Sequence, residues 1–300
     1  MPFRLRRKES AADGLRRVAE EEIDESLALL HRMQGGSEDS VHELRKNFKR
    51  IRALVRLARD ALGEKAYRQE NSALRSLGRR LSPVRDAAVR VGTLAKLKKN
   101  PGGGATVPAV LTRRLSARRR NAVAKLGRGR TLAAIESDLG DLRGRIHDWP
   151  RHMDAFAGLE PGLRRVYRQG RRLRSKALDL RNDEDLHEWR KRAKDLRSHV
   201  ELLEKLWPKP MTDLAGELHD LTDCLGDDHD LADVRQILSH PNGVAAGVHV
   251  SELIERIDRR RSKLQSDARK LGDRIYTERP KAFTGRVESY WDAWRSGSGA

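Results

Sequence analysis

The chain has 300 residues, 37% of them hydrophobic and 36% charged, and its 63 Lys and Arg exceed its 44 Asp and Glu to give a formal charge of +19. No stretch approaches 18 uncharged apolar residues, the N-terminal MPFRLRRKES has no apolar core, and Cys224 is the one cysteine, so a membrane span, a secretory signal, an internal disulfide and a thiolate metal site are all excluded as expectations. With only 5 Trp, 4 Tyr and 4 Phe, the balance is that of amphipathic helices in a reducing, cytoplasmic setting, and the charge calls for a polyanionic partner.

Helical periodicity runs through the whole sequence, and almost nothing alternates as a strand would. The first predicted helix covers 12–33 and stops at Gly35-Gly36. Helices over 39–62, 64–81 and 83–99 follow, the last opened by Ser82 as N-cap and Pro83 in the first turn. Asn100-Pro101-Gly102-Gly103-Gly104 breaks the chain before helices at 107–126 and 131–147. Beyond Trp149 the pattern resumes at 160–181, 184–206, 209–224 and 229–238, stops at His240-Pro241-Asn242-Gly243, and ends with 247–277 and 280–295.

Three segments recur in the same order at nearly one offset. Gly14-Leu15-Arg16-Arg17-Val18 returns as Gly162-Leu163-Arg164-Arg165-Val166, Val41-His42-Glu43-Leu44-Arg45-Lys46 as Leu186-His187-Glu188-Trp189-Arg190-Lys191, and Leu81-Ser82-Pro83-Val84-Arg85-Asp86 as Leu225-Gly226-Asp227-Asp228-His229-Asp230. Such agreement indicates a duplication. The expected fold is all-α: one unit over 1–300 built from two helical bundles, 8–149 and 160–297, each of at least four helices and related by a pseudo-twofold axis.

The second matched segment carries the chemistry. Its apolar seam is Val41, Leu44, Phe48, Ile51 and Val55 in one half and Leu186, Trp189, Ala193, Leu196 and Val200 in the other. One step round, about 100° from the seam, lies His42, Arg45, Lys49 and Arg52, repeated as His187, Arg190, Lys194 and Arg197. Like charges at these spacings cost a few tenths of a kcal/mol per pair on a helix, so two identical rows imply an anionic ligand rather than a solvated face. A bound polyanion would favour the imidazolium forms of His42 and His187, linking uptake to protonation at about pH 6 to 7.

A second basic shoulder, in the later half only, has Arg164, Arg171, Arg174 and Arg181, with Arg168 and Arg172 close by, and of these Arg164, Arg168, Arg171 and Arg174 are expected to add ligand contacts; the earlier half has Glu20-Glu21-Glu22 there. The triplets Arg118-Arg119-Arg120 and Arg259-Arg260-Arg261 point in several directions at once. Asp86 and Asp230 have the place of supporting groups that orient or partly neutralise nearby cations. His219-Asp220 and His229-Asp230 are fragments of a metal phosphohydrolase pattern without a ligand set, and no phosphate-binding glycine loop or nucleophile elbow occurs. No catalytic residue, metal or other cofactor is expected.

The repeated His-x-x-Arg-x-x-x-Lys-x-x-Arg rows, followed in each half by Arg85-Asp86 or His229-Asp230, resemble the CHAD family, the conserved histidine α-helical domain, over nearly the whole chain. The resemblance implies two pseudo-twofold-related bundles around a basic cavity, inorganic polyphosphate as ligand and association with polyphosphate granules. It makes the two rows the phosphate contacts. His229 departs from the Arg-Asp pattern. The Glu-x-Glu-x-Lys signature of the CYTH domain that adjoins many relatives is absent, so a stand-alone, non-catalytic binder without membrane association is expected. Nucleic acid is the alternative partner, since charge alone supports weak non-specific binding.

Overall fold

The computed structural model describes residues 3–33, 38–99, 106–128, 130–150, 155–180, 182–240 and 242–297. Gly35-Gly36, the Asn100 to Gly104 break, Arg181 and Pro241 lie outside them. Among the described residues the chain is helical throughout, with no strand: α1 (Ala11–Arg32), α2 (Glu38–Leu57), α3 (Arg59–Arg80), α4 (Ser82–Lys99), α5 (Ala109–Arg128), α6 (Thr131–His147), α7 (Glu160–Leu180), α8 (Asp183–Leu202), α9 (Pro208–Ser239), α10 (Ser251–Ile275) and α11 (Pro280–Ser296).

Local chemistry accounts for many of the ends. Ser10 accepts the Asp13 amide at 3.0 Å to start α1, and Asn182 accepts the Asp185 amide at 2.8 Å to start α8, each satisfying a first-turn donor that the helix itself leaves free. Asp183, Glu184 and Asp185 then place negative charge at the positive end of α8. Helix α8 stops at Leu202, before the extended Trp207 and Pro208 at the head of α9, rather than running to 206. The expected break between 62 and 64 survives as a kink, where Gly63 adopts φ +75° inside α3; that conformation is open to glycine without a Cβ penalty.

Two expectations are corrected. The helices expected at 209–224 and 229–238 are one, α9, continuous through Gly226. A helical glycine costs about 1 kcal/mol relative to alanine, and burial on either side of it outweighs that, since Leu221, Leu225, Leu231 and Val234 are all buried at about 1.5–3 kcal/mol each. Ser82 is no cap for α4. Its hydroxyl donates to Gly78 O at 3.3 Å and accepts from Arg45 at 2.9 Å.

Both seams are buried as their periodicity requires, from Val41 to Val55 and from Leu186 to Val200. They do not form two separate interiors. One core runs from Phe3 to Trp291 through both halves, and a second joins Leu94, Leu97, Leu111 and Leu115 of α4 and α5 to Leu231, Val234, Leu253 and Ile257 of α9 and α10. Matched helices meet across the halves: α2 packs on α8 and α4 on α9.

The repeated glycines have a common reason. A Cβ on Gly162 would lie 2.0 Å from Leu57 O, where the end of α2 meets α7, and one on Gly14 would lie 2.5 Å from Leu5 Cδ2. Gly162→Ala is therefore expected to destabilise the fold by about 1–3 kcal/mol through overpacking. Gly144→Ala, in the interior of α6 with nothing within 4 Å of its Cβ, should instead stabilise by about 0.5–1 kcal/mol. Urea unfolding of both variants checks the pair, and equal effects would contradict the close-approach account.

Candidate functional site

The site begins with the contact that holds α2 to α8. Arg56 donates to Asp195 at 2.6 Å, with side chains only 11% and 8% exposed, and Arg192 reaches the same carboxylate at 3.1 Å. Beside them His199, buried, donates to Ala53 O at 2.8 Å. Burial pushes its imidazole down to about 4, so it serves as a neutral donor. Helix α2 is thereby fixed against α8 with a basic row beside each apolar seam.

The middles of the two rows converge. Lys49 lies within the field of Arg45, Arg190, Arg85 and Asp230, and Lys194 within that of Arg190, Lys49, Asp230 and Asp223. His187 stacks on His229 with ring centroids 4.3 Å apart. The cluster so formed contains Arg45, Lys49, Arg85, His187, Arg190, Lys194 and His229, drawn from α2, α4, α8 and α9. Lys49 and Lys194 make no ion pair among the described residues. Arg45 donates to Gly78 O and to Ser82, but its Nε, like Arg190 Nε and His187 Nδ1, is buried without a hydrogen-bond partner.

The outer members of the rows are engaged or exposed. Arg52 donates to Asn71 at 2.8 Å. Arg197 donates to Glu201 at 2.8 Å and lies 3.0 Å from His219 Nδ1. His42 is exposed, 4.0 Å from Glu43. Asp86 and Asp230 close no hydrogen bond and no ion pair among the described residues. They act at longer range, Asp86 on Arg45 and Arg90, Asp230 on Arg190, Lys49 and Lys194.

The second shoulder is placed differently. Arg164 pairs with Glu160 at 3.2 Å, Arg171 donates to Tyr276 O at 3.2 Å, Arg174 pairs with Asp273, and Arg168 is exposed. Arg171 and Arg174 thus reach for the end of α10, and none of the four shares a hydrogen bond or ion pair with the cluster. The triplets divide as well: Arg119 pairs with Glu38 at 2.5 Å, and Arg261 with Asp228 and Asp183. Two cluster members were legible but not singled out as contacts. Arg85 and His229 occupy the same position of the third repeated segment, so the duplication marked them as a pair.

Electrostatic crowding decides which groups titrate near neutrality. Burial, and then the charge of His229, pushes His187 down to about 4, and burial followed by Arg85 lowers His42. In the unliganded site burial and neighbouring charge thus oppose protonation of both histidines, and the expected link between polyanion uptake and imidazolium formation concerns the bound state; the lysines are lowered as well. Burial followed by Arg190 brings Lys194 down to about 7, and burial followed by Arg45 brings Lys49 down to about 8. Lys194 is half-buried but Lys49 is exposed, so water screens Lys49 and Lys194 carries more of the effect. Burial, before Arg56, also lowers Arg52 to about 10.

Among the described residues no group of three or more His, Cys, Asp or Glu is arranged to hold a metal, and no helix is long and apolar enough to cross a membrane. The CHAD domain model matches residues 16–239, and the chain belongs to that family. No curated protein matches it.

The lysines make a prediction for the unliganded protein. Their folded values lie below the unfolded one, so folded chains bind fewer protons and stability falls as pH drops from about 10 through 8 and 7. Lys49→Met with Lys194→Met should flatten the unfolding free energy between pH 9 and pH 6.5, measured in urea. An unchanged slope would show that these ammoniums are fully hydrated.

Proposed function

We propose that the chain binds inorganic polyphosphate along the cluster formed by the two rows, that it does so without catalysis, and that it resides in the cytoplasm at polyphosphate granules. The observation that carries this reading is the meeting of Lys49 and Lys194 with Arg45, Arg85 and Arg190, cations from both halves whose charge no carboxylate among the described residues closes off by direct pairing. An anion of high linear charge density relieves the repulsion that the empty site carries. Arginine grips phosphate oxygens through paired N–H donors, and lysine adds point charges. Apart from the histidine rings, the cluster offers no aromatic platform of the kind on which single-stranded nucleic acids stack. Membership of the CHAD family, which is associated with polyphosphate, supports the same reading.

The central positions are expected to matter more than the outer ones. Lys49→Ala with Lys194→Ala should weaken long polyphosphate by about tenfold to a hundredfold, the loss of one or two charge-assisted contacts. Arg164→Ala with Arg168→Ala should change it by no more than about threefold, since those residues lie on the separate shoulder. Competition by duplex DNA at matched phosphate concentration should be weaker than by polyphosphate at every salt concentration, although both affinities fall as salt rises. DNA equal to or tighter than polyphosphate would make nucleic acid the better reading. Steady release of orthophosphate from the bound chain would contradict the absence of catalysis.

Binding should also take up protons. A polyanion restores the charged form of both lysines, so calorimetry at pH 8 in buffers of different ionisation heat should report net uptake. Lys49→Arg with Lys194→Arg, which keeps the charge but cannot titrate, should bind with that uptake lost. Uptake unchanged in this variant would assign the protons elsewhere.

A further inference from the structure

A second concavity opens beside the cluster, between α4, α9 and α10. It encloses about 800 Å³, within the range of about 300–1,000 Å³ that suits a small organic ligand. Three kinds of surface line it. Thr93, Leu97 and Leu231 are buried and supply an apolar floor. Arg259, Arg260 and Lys263 are exposed and stand along α10 at its edge. Asp227 and Asp230 lie on the α9 wall, Asp227 held by Lys96 at 2.8 Å. Asp230 also acts on Lys49, Lys194 and Arg190, so the cavity adjoins the cluster through this one carboxylate.

These surfaces suit a linear inorganic chain poorly. Polyphosphate has no apolar surface to lay on Leu97 and Leu231, and no hydrogen-bond donor to offer two carboxylates, which repel it. A phosphate ester with an organic, hydroxyl-bearing body satisfies all three at once. The body covers the leucines, its hydroxyls donate to Asp227 and Asp230, and its phosphates meet Arg259, Arg260 and Lys263. The geometry points to a second anion site in this cavity, for a nucleoside phosphate or a molecule of that class. It is separate from the polyphosphate cluster and does not depend on it.

The test compares adenosine triphosphate with inorganic triphosphate on the full chain carrying Lys49→Ala and Lys194→Ala, which weakens the cluster's hold on triphosphate, by calorimetry at one ionic strength. Adenosine triphosphate carries less charge than triphosphate near neutral pH, so charge alone ranks it second. The cavity predicts the reverse order, by about threefold or more. Arg260→Ala with Lys263→Ala, both exposed and so harmless to the fold, should weaken adenosine triphosphate about tenfold and long polyphosphate by less than about twofold. Leu231→Phe, which fills the cavity from its apolar side, should weaken adenosine triphosphate and leave triphosphate unchanged, with thermal unfolding run to verify the fold. Triphosphate binding as tightly as adenosine triphosphate would overturn the proposal, as would adenosine triphosphate indifferent to the Arg260/Lys263 variant. Equal losses for adenosine triphosphate and polyphosphate in that variant would assign the cavity to the linear chain instead. Failure of polyphosphate to bind at all would leave the ranking of the two small ligands, and hence this site, standing.

Discussion

Everything functional here depends on α2 being held against α8, because each contributes a row of cations that repels the other. The Arg56–Asp195 pair and the His199 contact with Ala53 O fix that approach. Magnitudes show why it holds. Each large apolar side chain buried on the two seams contributes about 1.5–3 kcal/mol, whereas like-charged neighbours on a helix oppose by a few tenths each. The seams therefore win by number, and the pair supplies geometry more than net stability. Removing Asp195 would leave Arg56 an unpaired buried charge at a cost of about 3–5 kcal/mol, whereas Asp195 without Arg56 still has Arg192 at 3.1 Å.

That arrangement sorts the cations into two kinds. Arg52 and Arg197, at the ends of the rows, are held by Asn71 and by Glu201 and His219. The inner residues are left near one another, and burial followed by neighbouring cations moves the lysines into the range where protonation responds to a ligand. Arginine stays charged under the same pressure because its intrinsic value is so high. The cluster thus combines fixed charges with adjustable ones. An approaching polyanion raises the charge of the site that attracts it, while His187, pushed down to about 4 in the empty site, packs against the His229 ring.

Sequence periodicity revealed the seams, the two rows and the all-helical class, because a 3.6-residue period is set by the backbone itself. It failed where tertiary contacts override local signals. Gly226 with its acidic neighbours reads as a break, yet the buried Leu221, Leu225, Leu231 and Val234 carry α9 through it. The arginine shoulder on α7 reads like the rows, but its partners Tyr276 and Asp273 come from a distant helix. In the Arg259-Arg260-Arg261 triplet only the structure separates the two that line the cavity from the one that pairs inward with Asp228. The cavity itself was illegible, since α4 comes to the consecutive helices α9 and α10 from the other half of the chain. How far burial pushes His187 down was not legible either, because periodicity places a ring on a face without giving its burial.

If α2 and α8 present one shared surface, a long chain meets both rows at once and the second contact is effectively intramolecular. Calorimetric titration with long polyphosphate, followed by Lys49→Ala and Lys194→Ala made separately and together, tests this most directly. A shared surface gives a single class of site in the wild type, each single variant weakens that one site, and the double variant departs from additivity because both residues contact the same ligand. Two independent sites in the wild type, with one lost in each single variant and the other unchanged, would contradict the shared surface.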